Sequence, residues 1–270
     1  MKVQQNLQTS FGAVNYSVIP SRLLLFLIIN FHAVFHSFGQ SDALPTEYWT
    51  VKKNEEIDLK EAIKLLNIAK SKSTNPEISR LRARTYINLG IQYENANSYY
   101  LASDYFKKAL SDIQLYMDSL KYIPSYDYLL AGNIYLKNDL YPQALKYFNK
   151  AIEMNPDNSN YYNSRAELKR TLGDEYGALK DYNSAIEKNG QDVYPLANRG
   201  RLYYEKKEFS KAIIDLEKAI QLDDEFMIAY YYLGLTYIET GKKDLGCMNL
   251  SIAGELGYFI AYDSIKELCN

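Results

Sequence analysis

Few side chains in this sequence are equipped for chemistry, and their placement narrows what is open to them. Histidine occurs only at His32 and His36, inside an apolar N-terminal stretch. Elsewhere a serine or cysteine nucleophile would have no imidazole base. The 33 acidic residues include runs such as Glu55-Glu56 and Asp223-Asp224-Glu225. These read as solvated turns and helix surfaces, not as a paired general acid and base. The glycines form no phosphate-cradling loop. Catalysis by this chain alone is not expected, and no cofactor is implied. Two cysteines remain, Cys247 and Cys269. Without histidine they make a poor zinc site, so no metal centre is expected. The reading favoured here is a Cys247–Cys269 disulfide, and the alternative is two free buried thiols. The near balance of 31 basic against 33 acidic residues argues against nucleic acid, whose binders carry a basic stripe.

The elements that must position these groups follow a fixed period. Small residues recur every 34 positions at Gly132, Ala166, Gly200 and Gly234. A second series is Ala144, Ala178, Ala212 and Gly246, and a third is Ala151, Ala185, Ala219 and Ala253. Larger apolar positions keep phase with them: Tyr135, Tyr203 and Tyr237, then Phe148, Tyr182, Leu216 and Leu250. A period of this length predicts stacked repeats. Each unit splits into two helices at polar or glycine breaks such as Lys137-Asn-Asp139, Leu172-Gly173-Asp174 and Thr240-Gly241. Two antiparallel helices pack closely where one presents Gly or Ala, and neighbouring pairs stack to share a core. The 27 tyrosines, against 10 phenylalanines, suit such a framework, because the ring packs while the hydroxyl reaches water.

The pattern resembles the tetratricopeptide repeat. In the unit starting at Ser125, its characteristic positions hold Tyr128, Ala131, Gly132, Tyr135, Ala144, Phe148, Ala151 and Pro156. Only the seventh, Ala131, departs from the usual leucine. The next two units place Arg165 and Arg199 there, each followed sixteen residues later by Asp181 and Asp215. An Arg–Asp pair within each repeat is expected. The resemblance implies an all-α, right-handed solenoid of antiparallel helix pairs with a concave groove that holds a peptide or helix of another protein. Its lining positions here are Tyr126, Leu129, Asn133 and Lys137; Asn163, Glu167 and Arg170; Tyr194, Asn198, Arg201 and Tyr204; and Tyr231, Tyr232, Leu235 and Glu239. Arg170 and Arg201 would be its cationic centre. The family's carboxylate clamp for chaperone tails is not matched, since Ile87 and Ile91 stand at its Lys and Asn positions.

The expected layout runs from a signal peptide over residues 1–39 to a capping helix over 257–270. Lys2 and Arg22 precede the apolar run Leu23-Leu-Leu-Phe-Leu-Ile-Ile29, and Ser37 and Gly39 suit cleavage before Gln40. The run falls short of the ~20 apolar residues a membrane span needs; an uncleaved anchor over residues 23–38 is the alternative. Residues 40–82 are a lead-in and a degenerate half repeat. Residues 83–124 are a repeat with eight inserted residues near Ile113 to Pro124, expected to lengthen its second helix up to Ile123-Pro124 and to jut from one face. Units follow over 125–158, 159–192, 193–226 and 227–256. The expected function is an exported scaffold that binds another protein. Alternatives are a self-assembling envelope component and, if the N-terminal segment is no signal, a cytosolic co-chaperone.

Overall fold

A computed structural model describes residues 44–53 and 58–269. The expected signal peptide over residues 1–39 lies outside the described residues. Among these residues there are thirteen helices and no strand. No described helix is long and apolar enough to cross a membrane. The chain divides into two compact units, one ending at Met154 and one beginning at Asn155.

The first unit holds α1 (Thr46–Lys53), α2 (Leu59–Lys72), α3 (Pro76–Asn95), α4 (Tyr99–Ser119), α5 (Ser125–Lys137) and α6 (Tyr141–Met154). Helix α1 gives the expected half repeat a partner. Its Tyr48 and Val51 are buried with Ala62, Leu66 and Ala69 of α2. Asp58 caps α2, its carboxylate accepting from the amides of Lys60 at 2.7 Å and Glu61 at 3.1 Å. Asn75 caps α3, with Pro76 in the first turn where no amide is needed.

The second helix of the inserted repeat, α4, is lengthened, as expected, though it ends at Ser119, and the inserted stretch is anchored by the buried Ile113 and Tyr116. Helix α3 starts well before Ala83 and α4 continues to Ser119, so both helices of this pair are lengthened at the same end. The extra turns are clamped together. Arg82 holds Asp112 by two bonds, Nε–Oδ2 at 2.5 Å and Nη2–Oδ1 at 2.6 Å, and Lys70 adds a third at 2.8 Å. Arg80 Nε donates to Asp127 at 2.6 Å, and the Tyr116 hydroxyl donates to the other oxygen at 2.6 Å. Asp127 is fully buried. A buried carboxylate is tolerated only when paired and hydrogen-bonded, which these two partners accomplish.

The second unit holds α7 (Ser159–Thr171), α8 (Glu175–Lys188), α9 (Val193–Glu205), α10 (Phe209–Leu222), α11 (Met227–Glu239), α12 (Lys243–Glu255) and the short α13 (Ile260–Leu268). Odd- and even-numbered helices pair as α7 with α8, α9 with α10 and α11 with α12, and α13 packs on α12 as the cap. The two expected Arg–Asp pairs are present and bidentate. Arg165 meets Asp181, and Arg199 meets Asp215, through Nε and Nη2 at 2.7 Å in every case. Cys247, near the start of α12, and Cys269, just past α13, have Cα atoms 5.8 Å apart and are joined through their sulfurs.

Two local constraints repeat through the pairs. The first is close approach: a Cβ placed on Gly132 would come within 2.5 Å of the Phe148 ring, which is itself fully buried. The second lies in the turn. The residue two past the first helix of each of the five full pairs takes a positive φ: Asn97, Asp139, Gly173, Lys207 and Gly241, at 56° to 80°. The next residue's amide then bonds back into the helix, as in Glu208 N to Tyr203 O at 2.8 Å. Glycine meets this demand without strain; lysine does not.

Two substitutions test these constraints in opposite directions. Lys207→Gly should raise stability by about 1 kcal/mol, by removing the cost of a left-handed side-chain-bearing residue. Gly132→Leu should lower it by roughly 1–3 kcal/mol through overpacking against Phe148. Urea unfolding followed by helical circular dichroism reads both.

Candidate groove on the first helices of residues 155–270

The groove residues expected from the sequence fall into both units. Tyr126, Leu129, Asn133 and Lys137 lie on α5 of the first. There Tyr126 carries the Arg80 guanidinium over its ring at 4.8 Å, and Lys137 forms an ion pair with Glu94. Asn133 is half-buried. The others lie on α7, α9 and α11 of the second unit, and the structure brings most of them into contact with one another.

The polar part starts at the helix pair α7 and α9. The Asn198 amide donates to the side-chain oxygen of buried Asn163 at 3.1 Å, which links the first helices of adjacent repeats. One turn further along, Glu167, Arg170, Arg201 and Glu205 form a charge network. Arg201 Nε donates to Glu205 at 2.8 Å, and Arg170 Nη1 reaches the same carboxylate at 3.3 Å. Arg170 Nη2 approaches Glu167 at 3.5 Å, and the Tyr182 hydroxyl donates to Glu167 from behind. The expected cationic centre is therefore balanced within the groove wall. Burial pulls the Arg170 guanidinium down, and the charges of Glu167 and Glu205 more than reverse this, leaving it above its ordinary value. Both arginines stay charged throughout the physiological range.

The aromatic part continues onto α11. The Arg201 guanidinium lies over the Tyr232 ring at 5.3 Å. Tyr204 and Tyr232 are 5.9 Å apart, Tyr231 and Tyr232 5.2 Å, and Tyr231 and Tyr258 4.8 Å. Tyr194 meets Phe226 edge to face at 5.1 Å. Burial pushes the Tyr194 and Tyr204 hydroxyls upward, with the nearby Asp192 and Glu239 charges acting the same way. Glu239 is exposed at the end of α11. No group of His, Cys, Asp and Glu among the described residues could hold a metal ion.

Two groove participants escaped the sequence reading. Glu205 could have been found, because it lies four residues after Arg201 on the same helix face. Tyr258 lies in the turn between α12 and α13, outside the repeat positions, and nothing in the period points to it.

With this geometry in view, comparison with known proteins is informative. A tetratricopeptide-repeat model matches residues 128–158, and a TPR-repeat model matches residues 200–241. The chain carries tetratricopeptide repeats, all-helical units of the kind that bind other proteins. It is 39% identical over 89 residues to tetratricopeptide repeat protein 36 of Danio rerio, covering 32% of this chain and 48% of that protein. It is 32% identical over 111 residues to a TPR repeat-containing protein of Methanocaldococcus jannaschii, covering 41% and 17%. It is 27% identical over 165 residues to the Hsp70-Hsp90 organizing protein of Triticum aestivum, covering 54% and 28%. The chain thus spans under half the length of each of these relatives. Among solved structures, a thermophilic TPR protein of Thermus thermophilus shares the fold, with a TM-score of 0.53 at 19% identity over 69% of this chain and 98% of that one.

The tyrosine framework makes a pH prediction. Burial and the neighbouring Tyr135 push Tyr147 up to about 12, and burial together with the bond to Glu217 does the same for Tyr237. An unfolded tyrosine titrates near 10. The folded chain therefore holds protons that the unfolded chain has lost, so stability falls as pH rises from 10 through about 12. Below pH 10 this contribution is complete. In an alkaline titration followed by tyrosinate absorbance and helical dichroism together, the last tyrosines to ionise should do so in step with helix loss above pH 10. Complete tyrosinate formation before any helix loss would contradict it.

Proposed function

We propose that the chain is an exported adaptor whose groove on α7, α9 and α11 holds an extended segment of another protein. The observation that carries this reading is the half-buried Asn198 amide, held in place by buried Asn163, together with the Tyr204–Tyr232–Tyr231 shelf. A fixed side-chain amide offers a donor and an acceptor matched to a peptide backbone. Rigid tyrosines supply contact area at little entropic cost. Because Glu167 and Glu205 offset Arg170 and Arg201, the groove does not select an acidic ligand by charge, and its specificity rests on the shelf. Export is inferred from the N-terminal apolar run, and an oxidising compartment fits a Cys247–Cys269 disulfide.

A co-chaperone role is the alternative, motivated by similarity to the organizing protein of Triticum aestivum. Against it, Ile87 is buried and Ile91 packs in the α3–α5 core, so neither clamp position presents a polar group.

The test is affinity capture of the tagged chain from its own cells, with N-terminal sequencing of the recovered protein. Tyr204→Ala and Asn198→Ala should each weaken retention of the main partner about tenfold or more, the scale of losing one anchoring residue. Tyr176→Ala, on the exposed face of α8, should retain it. Sequencing should begin at Gln40. Equal capture by all variants would contradict the groove, and a start at Met1 with chaperones as partners would favour the alternative.

A further inference from the structure

The cap is poorly equipped to hold itself in place. Helix α13 spans nine residues, and Ala261 is its only fully buried one. Phe259 before it, and Ile260, Tyr262 and Leu268 within it, are all exposed. A helix this short is marginal in water, and its stability must come from packing or a tether. The packing is modest: the Tyr262 ring fits against Gly254 of α12. The tether is the link from Cys269 back to Cys247, which closes α13 onto α12.

This cap touches the groove. The Tyr231 hydroxyl and Ser264 Oγ of α13 are 3.2 Å apart. The Tyr258 ring, in the turn leading into α13, lies 4.8 Å from Tyr231. Tyr231 in turn meets Tyr232, and Tyr232 meets Tyr204. The shelf that begins on α9 therefore ends on the cap.

We propose that the cap is the end wall of the binding groove, with Tyr258 and Ser264 as its positioning residues, and that the Cys247–Cys269 disulfide holds the wall in place. This rests on the groove reading above. Peptide binding then requires the oxidised chain. A dithiol supplies two electrons to the sulfur–sulfur bond, leaving thiols on Cys247 and Cys269 and becoming a cyclic disulfide itself. Freed of its tether, α13 frays, and Tyr231 loses its hydroxyl partner and its ring neighbour together.

Hydrogen-exchange mass spectrometry on the full chain tests this without any peptide, so its outcome is separate from that of the capture experiment. The oxidised chain is compared with the chain reduced by dithiothreitol and with the Cys247→Ser/Cys269→Ser variant. In both altered forms, amides of α13 should exchange about tenfold faster or more, and those of α11 around Tyr231 several-fold faster, while α7 and α8 are unchanged. The Ser264→Ala variant, with its disulfide intact, should speed exchange at Tyr231 more than within α13. Three results would overturn the inference: unreduced protein that labels two free thiols after denaturation, an α13 as protected reduced as oxidised, or a freed α13 with α11 unchanged.

Discussion

Everything in this molecule depends on how closely the two helices of each pair approach. Gly132 lies where any side chain would strike Phe148. Its counterpart Ala166 and the alanines at 144, 151, 178, 185, 212, 219 and 253 are fully buried. Small residues at these contacts fix the separation of the helix axes, and interiors packed to this density transmit a change of one methylene. With that separation fixed, Asn198 and Tyr204 keep part of their surface accessible while Asn163, Tyr182 and Leu216 are buried. The groove is a consequence of the packing rule, repeated at each pair.

The electrostatics divide between structure and surface along the same lines. Arg165 and Arg199 face the partner helix and are consumed by Asp181 and Asp215. Arg170 and Arg201 face the groove, yet they too meet carboxylates, of Glu167 and Glu205. Pairs of this kind, partly shielded from water, order side chains more than they stabilise the fold. Their effect is to present a wall of fixed planar groups with little net charge, continued by tyrosine rings. In the proposed binding role, such a wall discriminates by shape and backbone hydrogen bonding. Long-range attraction adds little.

Much of this was legible in the sequence because the repeat writes each contact at a constant offset. The Arg165–Asp181 and Arg199–Asp215 pairs are both sixteen residues apart, so one phase of the period reveals both. The cap and its two cysteines follow from the need to cover a last apolar face. The lengthened pair α3–α4 breaks the offset, and there the reading failed. Arg82 meets Asp112 at a separation of 30, and Arg80 meets Asp127 at 47. Once turns are added to both helices at one end, no single period predicts which charges close the gap. The insertion itself is anchored by the buried Ile113 and by Tyr116, whose hydroxyl donates to Asp127. Helix α1 was missed as a repeat partner because it is only eight residues long and carries no small-residue signature. The charge balance of the groove was missed because Glu205, although in phase with Lys137 and Glu239, was not read together with Arg201 four residues before it.

The central claim is that the faces of α7, α9 and α11 form one binding surface within residues 155–270. Chemical-shift mapping tests it most directly. A peptide selected from a random displayed library against the oxidised chain would be titrated into isotope-labelled protein. The account predicts shifts concentrated at Asn163, Asn198, Tyr204, Tyr231 and Tyr232, and smaller ones at Tyr258. Shifts confined to the outer faces of α8, α10 and α12, with these residues unmoved, would contradict it.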